Sequence, residues 1–396
     1  MGSKISSVRK TGLVRFGVVG AGGMGIGHCQ SLKNVDNARL TAVCDVNFAA
    51  AEKAAQTLGV EAFDDHRKLI KSGLCDAALI ATPHPFHPRA AIDCMNAGLH
   101  VISEKPLSER VSTAEEMVRA AGKNRVAFAV MFQRRFEPAI LKAMELIRGG
   151  RVGEIYRTAL FSNEFRAQSY YDSGSWRATW SGEGGGVLIN QSPHVIDLFI
   201  QMAGMPGEVL GMVATRMHRI EVEDRADAIL RYPNGGIGYL CCSTIEAGPG
   251  QMIEISGDKG KLTWRDEKLS FYRFPTPIRK AIKTAAKWDH NEAIEEPLKL
   301  EQKPAGSACV VSNFVRHLLC GEKLVTPGAS GVASLELANA ITLSSFERRW
   351  VRMPISRRKY DQLLDSLRRN SKFVKGKVRE ECTTDPRVKK QIIQSV

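Results

Sequence analysis

The chain has 396 residues, 43% hydrophobic and 25% charged, which suits two domains with ordinary cores and excludes a disordered or fibrous chain. Nine cysteines, odd in number and without a Cys-x-x-Cys pair, exclude a disulfide framework or zinc ribbon and point to reduced thiols in the cytoplasm. There is no apolar run long enough for a membrane span and no apolar segment in Met1 to Gly12, so neither a span nor a secretory signal is expected; Met1-Gly2 before Ser6 is too short a pattern to indicate myristoylation.

Leu13 to Val19 is a short apolar run that reads as a buried strand. It ends in Gly20-Ala21-Gly22-Gly23-Met24-Gly25, a G-x-G-x-x-G, and a helix follows through Leu32. Arg39 to Cys44 reads as a second strand ending at Asp45. A lone G-x-G-x-x-G means little; between a strand and a helix, with an acid at the end of the next strand, it specifies a dinucleotide site. Gly20 permits the tight turn, Gly22 lets a pyrophosphate approach the backbone, and Gly25 lets the helix pack on the strand. The loop Gly20 to Gly25, with Gly23 and Met24 at the helix N-terminus, would hold the phosphates. Asp45 would hydrogen-bond the adenosine ribose diol and repel a 2′-phosphate, which favours NAD over NADP. Strands continue at Ala77 to Ala81, His100 to Ser103 and Val126 to Val130, with helices between them, and Ser112-Thr113-Ala114-Glu115 reads as a capping box. Repeated βα units imply a parallel sheet with ligands at the carboxyl ends of its strands. Two of those ends carry Thr82-Pro83-His84-Pro85-Phe86-His87 and Glu104-Lys105-Pro106. His84 and His87 have zinc-ligand spacing, but with two prolines interleaved and no third ligand nearby no metal is expected.

Beyond Glu137 the pattern changes to longer strands: Ile155–Ser162, Val209–Thr215, Asp227–Tyr232, Ile237–Thr244 and Met252–Ser256. Asn234-Gly235-Gly236 and Asp258-Lys259-Gly260 are hairpin signals. One large, mostly antiparallel sheet is expected. Residues 275–304 show no clear element, and helices return at Ala308 to Leu319 and Gly331 to Arg348. The expected organisation is an α/β Rossmann domain over 1–135, an α+β domain over 136–355, and a basic C-terminal tail over 356–396. About half of the net charge of +14 lies in that tail, including Arg357, Arg358, Lys359, Arg368, Arg369, Lys372, Lys375, Lys377, Lys389 and Lys390, with a helix near Tyr360 to Arg369. It reads as a solvated basic tail; without a nucleic-acid motif, no nucleic-acid partner is expected.

Glu104-Lys105-Pro106 after a Rossmann strand, together with the glycine loop and Thr82-Pro83-His84, resembles the Gfo/Idh/MocA family of oxidoreductases (glucose-fructose oxidoreductase, inositol dehydrogenase and relatives). The second half agrees: Ser175-Trp176-Arg177 precedes Gly184-Gly185-Gly186-Val187-Leu188-Ile189-Asn190-Gln191-Ser192-Pro193-His194-Val195-Ile196-Asp197, similar to the family's catalytic helix. The resemblance implies NAD as cofactor and a carbohydrate or cyclitol hydroxyl as the group oxidised. It further implies a homodimer or homotetramer paired through the open face of the C-terminal sheet. Thr82, Pro83, His84, His87, Glu104, Lys105, Trp176 and Arg177 would border the cofactor, as would Gln133 after the fifth strand. Lys105, Asn190, Gln191, His194 and Asp197 would meet the substrate.

The chemistry asks for a base to take the hydroxyl proton and a cation to stabilise the developing oxygen charge. His194 suits the first role, since imidazole titrates near neutral pH, and Lys105 the second. Many family members carry Asp where this chain has Asn190; Asn cannot accept a proton but can hydrogen-bond a hydroxyl, and Asn190-Gln191 is nearer to sugar-nucleotide and glycoside 3-dehydrogenases. Asp197, one helical turn beyond His194, could orient it, bind substrate or serve packing. The leading expectation is an NAD-dependent oxidoreductase of a secondary hydroxyl on a sugar, glycoside or cyclitol, with C3 a candidate. The alternatives are a glycoside hydrolase or lyase that oxidises a ring carbon transiently, and a non-catalytic NAD-binding regulator.

Overall fold

The computed structural model describes Val8 and residues 11–376 of the chain. The first unit is a parallel six-stranded sheet of β1 (Val14–Val19), β2 (Ala38–Cys44), β3 (Glu61–Phe63), β4 (Ala77–Ile80), β5 (His100–Ser103) and β6 (Phe128–Val130), in the order β3-β2-β1-β4-β5-β6. β4 and β5 are buried throughout, as expected of parallel strands covered by helices on both faces. Strand order reverses between β1 and β4, so a crevice opens above their carboxyl ends. The sequence reading missed β3, whose three residues, the first exposed and the others half-buried, carry no apolar run.

The expected capping box is not a cap. The helix begins at Val111, and the Val111 N–H is bonded by Asn339 Oδ1 at 3.2 Å from the helix Ser330–Glu347. Ser112 Oγ donates instead to Asp361 at 3.0 Å. A partner more than two hundred residues away therefore sets that helix start, a contact no local pattern reports.

The second unit is a nine-stranded, mostly antiparallel sheet in the order β14-β13-β12-β11-β7-β10-β9-β8-β15. Its strands are β7 (Ile155–Asn163), β8 (Glu208–Ala214), β9 (Arg225–Arg231), β10 (Ile237–Ser243), β11 (Gln251–Gly257), β12 (Gly260–Arg265), β13 (Lys268–Arg273), β14 (Ile294–Glu296) and β15 (Val351–Arg352). Only β7 and β10 pair in parallel, at the centre. Helices Pro193–Ala203 and Ser330–Glu347 cover one face. Along β9, Ala226, Ala228 and Leu230 point into that core, while Arg225, Asp227, Ile229 and Arg231 alternate on the other face. Within 275–304, read as featureless, stand a helix at Ile278–Thr284 and β14.

The chain crosses back to the first unit. Helix Ser307–Cys320 packs Val310, Val311, Phe314, Val315 and Leu318 into one core with Phe16, Leu79 and Ala129, and the Phe16 and Phe314 rings lie 6.4 Å apart. Nor is 356–375 a solvated tail. Helix Arg357–Arg369 buries Tyr360 and Leu364 and pairs Arg357 with Glu115 (2.7 Å), Arg110 with Asp365 (2.9 Å) and Arg368 with Glu109 (3.0 Å). Its amphipathic face has acids of the body to answer its arginines, which a count of positive charge alone cannot show. Lys377, Lys389, Lys390 and the Met1-Gly2 pattern lie outside the described residues. Among the described residues no helix is long and apolar enough to cross a membrane.

Candidate active site

The wall of the crevice contributed by the first unit begins at the glycine loop. Gly20 has φ +108°, and a Cβ there would stand 2.5 Å from the Ala81 carbonyl oxygen. A Cβ on Gly25 would stand 1.8 Å from the Gly20 carbonyl oxygen, so only glycine lets the helix Gly23–Leu32 approach so closely. Gly22 is exposed with nothing within 4 Å of its Cβ position, and no side chain caps the helix that follows. That leaves Gly23 and Met24 at an open, positively polarised helix end. Asp45 ends β2 beside the loop and accepts from the N–H groups of Ala21 (2.7 Å) and Asn47 (2.9 Å).

Two further strand ends complete this wall. After β4, the chain turns through Thr82, Pro83 and His84. His84 is buried, stands edge-on to Trp176 at 5.3 Å, and is kept neutral far below the usual imidazole range by its burial. His87 is buried between two backbone carbonyls. Its two ring nitrogens meet the carbonyls of Thr82 (2.6 Å) and Pro106 (2.8 Å), tying the two strand ends together. Glu104 likewise braces the scaffold: it pairs with His28 of the loop helix at 2.7 Å and accepts the Lys105 N–H at 3.0 Å. Burial disfavours its charge, but His28 and the neighbouring Lys105 outweigh that and hold its carboxyl down to about 2. His87 and Glu104, expected to border the cofactor, both make scaffold contacts at these strand ends.

The facing wall comes from the second unit. A Cβ on Gly186 would lie 1.9 Å from the Glu223 carbonyl oxygen, so the triple glycine threads where no side chain fits. This passage brings Asn190 to Lys105, whose Nζ donates to the Asn190 carbonyl at 3.1 Å. His194 stands in the first turn of the helix Pro193–Ala203, edge-on to Phe132 at 5.9 Å. Burial, reinforced by Lys105, holds His194 well below its ordinary value, so it is a neutral imidazole at physiological pH. Burial also lowers the Lys105 ammonium from its usual value.

Asp197 lies one turn further along the helix of His194. It is buried, and its carboxylate is held by Arg135, with Nε donating to Oδ2 at 2.8 Å and Nη2 bonding Oδ1. The pair locks the helix of His194 to the segment after β6. Helical periodicity placed Asp197 on the face of His194 but could not reveal that Arg135 waits there.

Three residues the sequence reading missed hold this wall together. The Tyr170 hydroxyl accepts from Arg177 Nη1 (2.7 Å), Asn190 Nδ2 (3.1 Å) and Gln191 Nε2 (3.3 Å). Arg177 stacks between the rings of Tyr170 (4.5 Å) and Trp176 (4.6 Å). Buried Glu183 accepts from Asn190 Nδ2 and from the Ala178 N–H (2.7 Å), and burial raises its pKa. Lys375, from the presumed tail, donates to the carbonyls of Gly174 and Arg177 (2.8 Å to the latter), pinning the loop that carries Trp176. Tyr170 and Lys375 belong to no recognisable spacing motif. Glu183 stood beside the triple glycine and could have been singled out as an acid preceding it.

The residues fit an NAD molecule. The loop offers an open helix end and a space that no Cβ fills, with a carboxylate at its edge. Thr82 Oγ1, His84 Nδ1 and Gln133 Oε1 at the strand ends, and Gln191 Oε1 and His194 Nδ1 opposite, are buried polar atoms without a partner. Buried polar groups are ordinarily bonded, so such a cluster marks atoms kept for a ligand.

Comparison with known proteins agrees with this geometry. The profile of the GFO/IDH/MocA oxidoreductase family with an NAD-binding Rossmann fold matches residues 14–132, and that of the GFO/IDH/MocA C-terminal domain matches residues 140–263. A myo-inositol 2-dehydrogenase of Thermotoga maritima is 26% identical, over 86% of this chain and 98% of its own length. A glycosyl hydrolase family 109 protein of Shewanella sp. (strain ANA-3) is 25% identical over 63% of this chain and 59% of its own. Among solved structures, the WlbA dehydrogenase of Chromobacterium violaceum, in complex with NADH and UDP-GlcNAcA, superposes with a TM-score of 0.75. It is 29% identical and covers 87% of this chain and 97% of its own.

Proposed function

This chain belongs to the Gfo/Idh/MocA family of NAD-dependent oxidoreductases, and on that premise we propose that it oxidises a secondary hydroxyl on a polyhydroxylated ring. The observation that carries the reading is the meeting of Lys105, Asn190 and His194 across the crevice, with the Lys105 Nζ on the Asn190 carbonyl. NAD, when bound, accepts the hydride from the ring carbon. His194, neutral because it is buried, takes the hydroxyl proton. The Lys105 ammonium stabilises the oxygen as charge develops on it. Asn190 and Gln191 supply neutral hydrogen-bonding groups for neighbouring hydroxyls. The loop residues Gly20 to Gly25 hold the pyrophosphate, Asp45 the adenosine ribose, and Thr82, Gln133 and Trp176 border the rest.

The substrate class is a sugar, glycoside or cyclitol, with C3 of a glycoside the position we favour. A 2-hydroxy acid needs an arginine fork for its carboxylate; of the two candidates, Arg134 is held by Glu137 and Arg177 by Tyr170. A second reading, glycoside cleavage through transient oxidation, is favoured by the family 109 relative and uses the same residues. A panel of sugars, cyclitols and aryl glycosides with NAD tests both. NADH without release of the aryl group supports the dehydrogenase; release without net NADH supports the second; NADH from lactate or malate alone rejects both. The exposed face of the large sheet carries Phe161, Met212, Ile229 and Tyr239, an apolar patch suited to pairing with a second copy. Sedimentation of a Tyr239→Lys variant as a monomer, against a wild-type dimer or tetramer, checks that arrangement.

A further inference from the structure

Three N–H donors converge on one phenol oxygen. Arg177, Asn190 and Gln191 all donate to Tyr170 Oη. A phenol oxygen has two acceptor lone pairs, which the shorter contacts from Arg177 and Asn190 occupy, so what it has left to offer is its own O–H. Among the described residues none accepts it. The nearby carboxylate of Glu183 already takes the Asn190 and Ala178 N–H groups. The ring cannot swing away, because the guanidinium groups of Arg177 and Arg166 lie 4.5 Å and 5.3 Å from its centre. Burial raises the pKa of the phenol, so it keeps its proton at neutral pH. Tyr170 itself is half-buried, at the same rim as Asn190, Arg177 and His194.

Spacing then says which oxygen the proton meets. Asn190 takes Lys105 on its carbonyl and reaches Tyr170 with its Nδ2. Lys105 and Tyr170 thus both touch Asn190, one at its carbonyl and the other at its side-chain amide, with only that residue between them. We propose that Tyr170 is a substrate-binding residue whose O–H donates to the hydroxyl adjacent to the one being oxidised, so that the site selects a vicinal diol on the ring. This rests on the hydroxyl-oxidation reading above and narrows it: an isolated secondary alcohol would leave the Tyr170 proton unsatisfied, a cost the vicinal diol does not carry.

The test compares wild type and Tyr170→Phe on the best ring substrate of the panel and on its deoxy analogues at the two flanking carbons. Wild type is expected to lose about 10-fold in kcat/KM on one deoxy analogue, the scale of one hydrogen bond. Tyr170→Phe is expected to lose a similar factor on the parent, mostly in KM, and nothing further on that analogue, with NAD affinity by calorimetry unchanged. If wild-type enzyme oxidises the ring but Tyr170→Phe matches it on the parent, or still discriminates the deoxy analogue, this inference alone is overturned. If wild type oxidises no polyhydroxylated ring, the underlying reading falls and this one with it. Wild-type enzyme that treats both deoxy analogues like the parent overturns the inference without any variant, so a folding defect in Tyr170→Phe leaves it falsifiable.

Discussion

The wall of the crevice that carries the glycine loop is made of backbone, and the wall facing it is made of side chains. On the first, the working parts are an uncapped helix end, a turn that admits no Cβ at Gly20, and three parallel strand ends tied by His87 and Glu104. On the second, Arg177, Tyr170, Asn190, Gln191 and Glu183 form one hydrogen-bonded cluster, pinned from behind by Lys375. A backbone site suits a ligand of fixed chemistry such as a dinucleotide. A side-chain cluster can be changed residue by residue, which suits the choice of ring under the proposed function. On the proposed function, cofactor and substrate recognition fall to different units, with Lys105 projecting from one wall to the carbonyl of Asn190 on the other.

The largest effect should come from the residues that join the walls. Lys105→Met and His194→Ala are each expected to lower turnover about 10²–10⁴-fold, the range for acid–base and electrostatic contributions, while NAD affinity by calorimetry stays within a few-fold. Loss of NAD binding in either variant would break the separation. Next, Asp197→Ala should destabilise the protein by about 3–5 kcal/mol in denaturant unfolding, because it strands the buried guanidinium of Arg135. A stable but poorly active Asp197→Ala would return that residue to the substrate.

The pH profile sharpens the same comparison. His194 must be neutral to take a proton, and its depressed pKa keeps it so below 6.5. Lys105 must be charged, and its depressed pKa brings its loss of charge below 10.5. The acid limb of kcat/KM should therefore lie below 6.5 and the alkaline limb below 10.5, and an acid limb above 6.5 would remove His194 as the base. Of the smaller effects, Asp45→Ala should narrow the preference for NAD over NADP by roughly 10-fold in Kd, about the worth of a charge-assisted hydrogen bond. Lys375→Met should raise the KM for NAD by about 3-fold through the loop of Trp176, and no more, since only neutral carbonyls lose a donor.

How much of this was legible follows the same division. Gly20, Gly22, Gly25 and Asp45 act through local geometry, and local geometry is written in spacing. Lys105, Asn190 and His194 were visible because strand ends and the triple glycine flag them. Tyr170 and Lys375 were not, because their roles exist only once segments some twenty to two hundred residues apart are folded together. Asp197 was visible as an acid on the right helical face, but its partner Arg135 was not, because Arg135 comes from another element. The short β3 and the segment 275–304 lack the apolar periodicity that marks an element, and the arginines of 357–369 read as free charge because their acidic partners lie elsewhere in the chain.

The account's central claim is that a ring carbon gives up hydride between these two walls. The direct measurement is a single turnover with NAD and a ring substrate deuterated at its secondary carbons, with the coenzyme read by mass spectrometry. The account predicts that one deuterium appears in the coenzyme with wild type and none with His194→Ala. Ring substrates that are consumed without any deuterium reaching the coenzyme, in wild type, would contradict it.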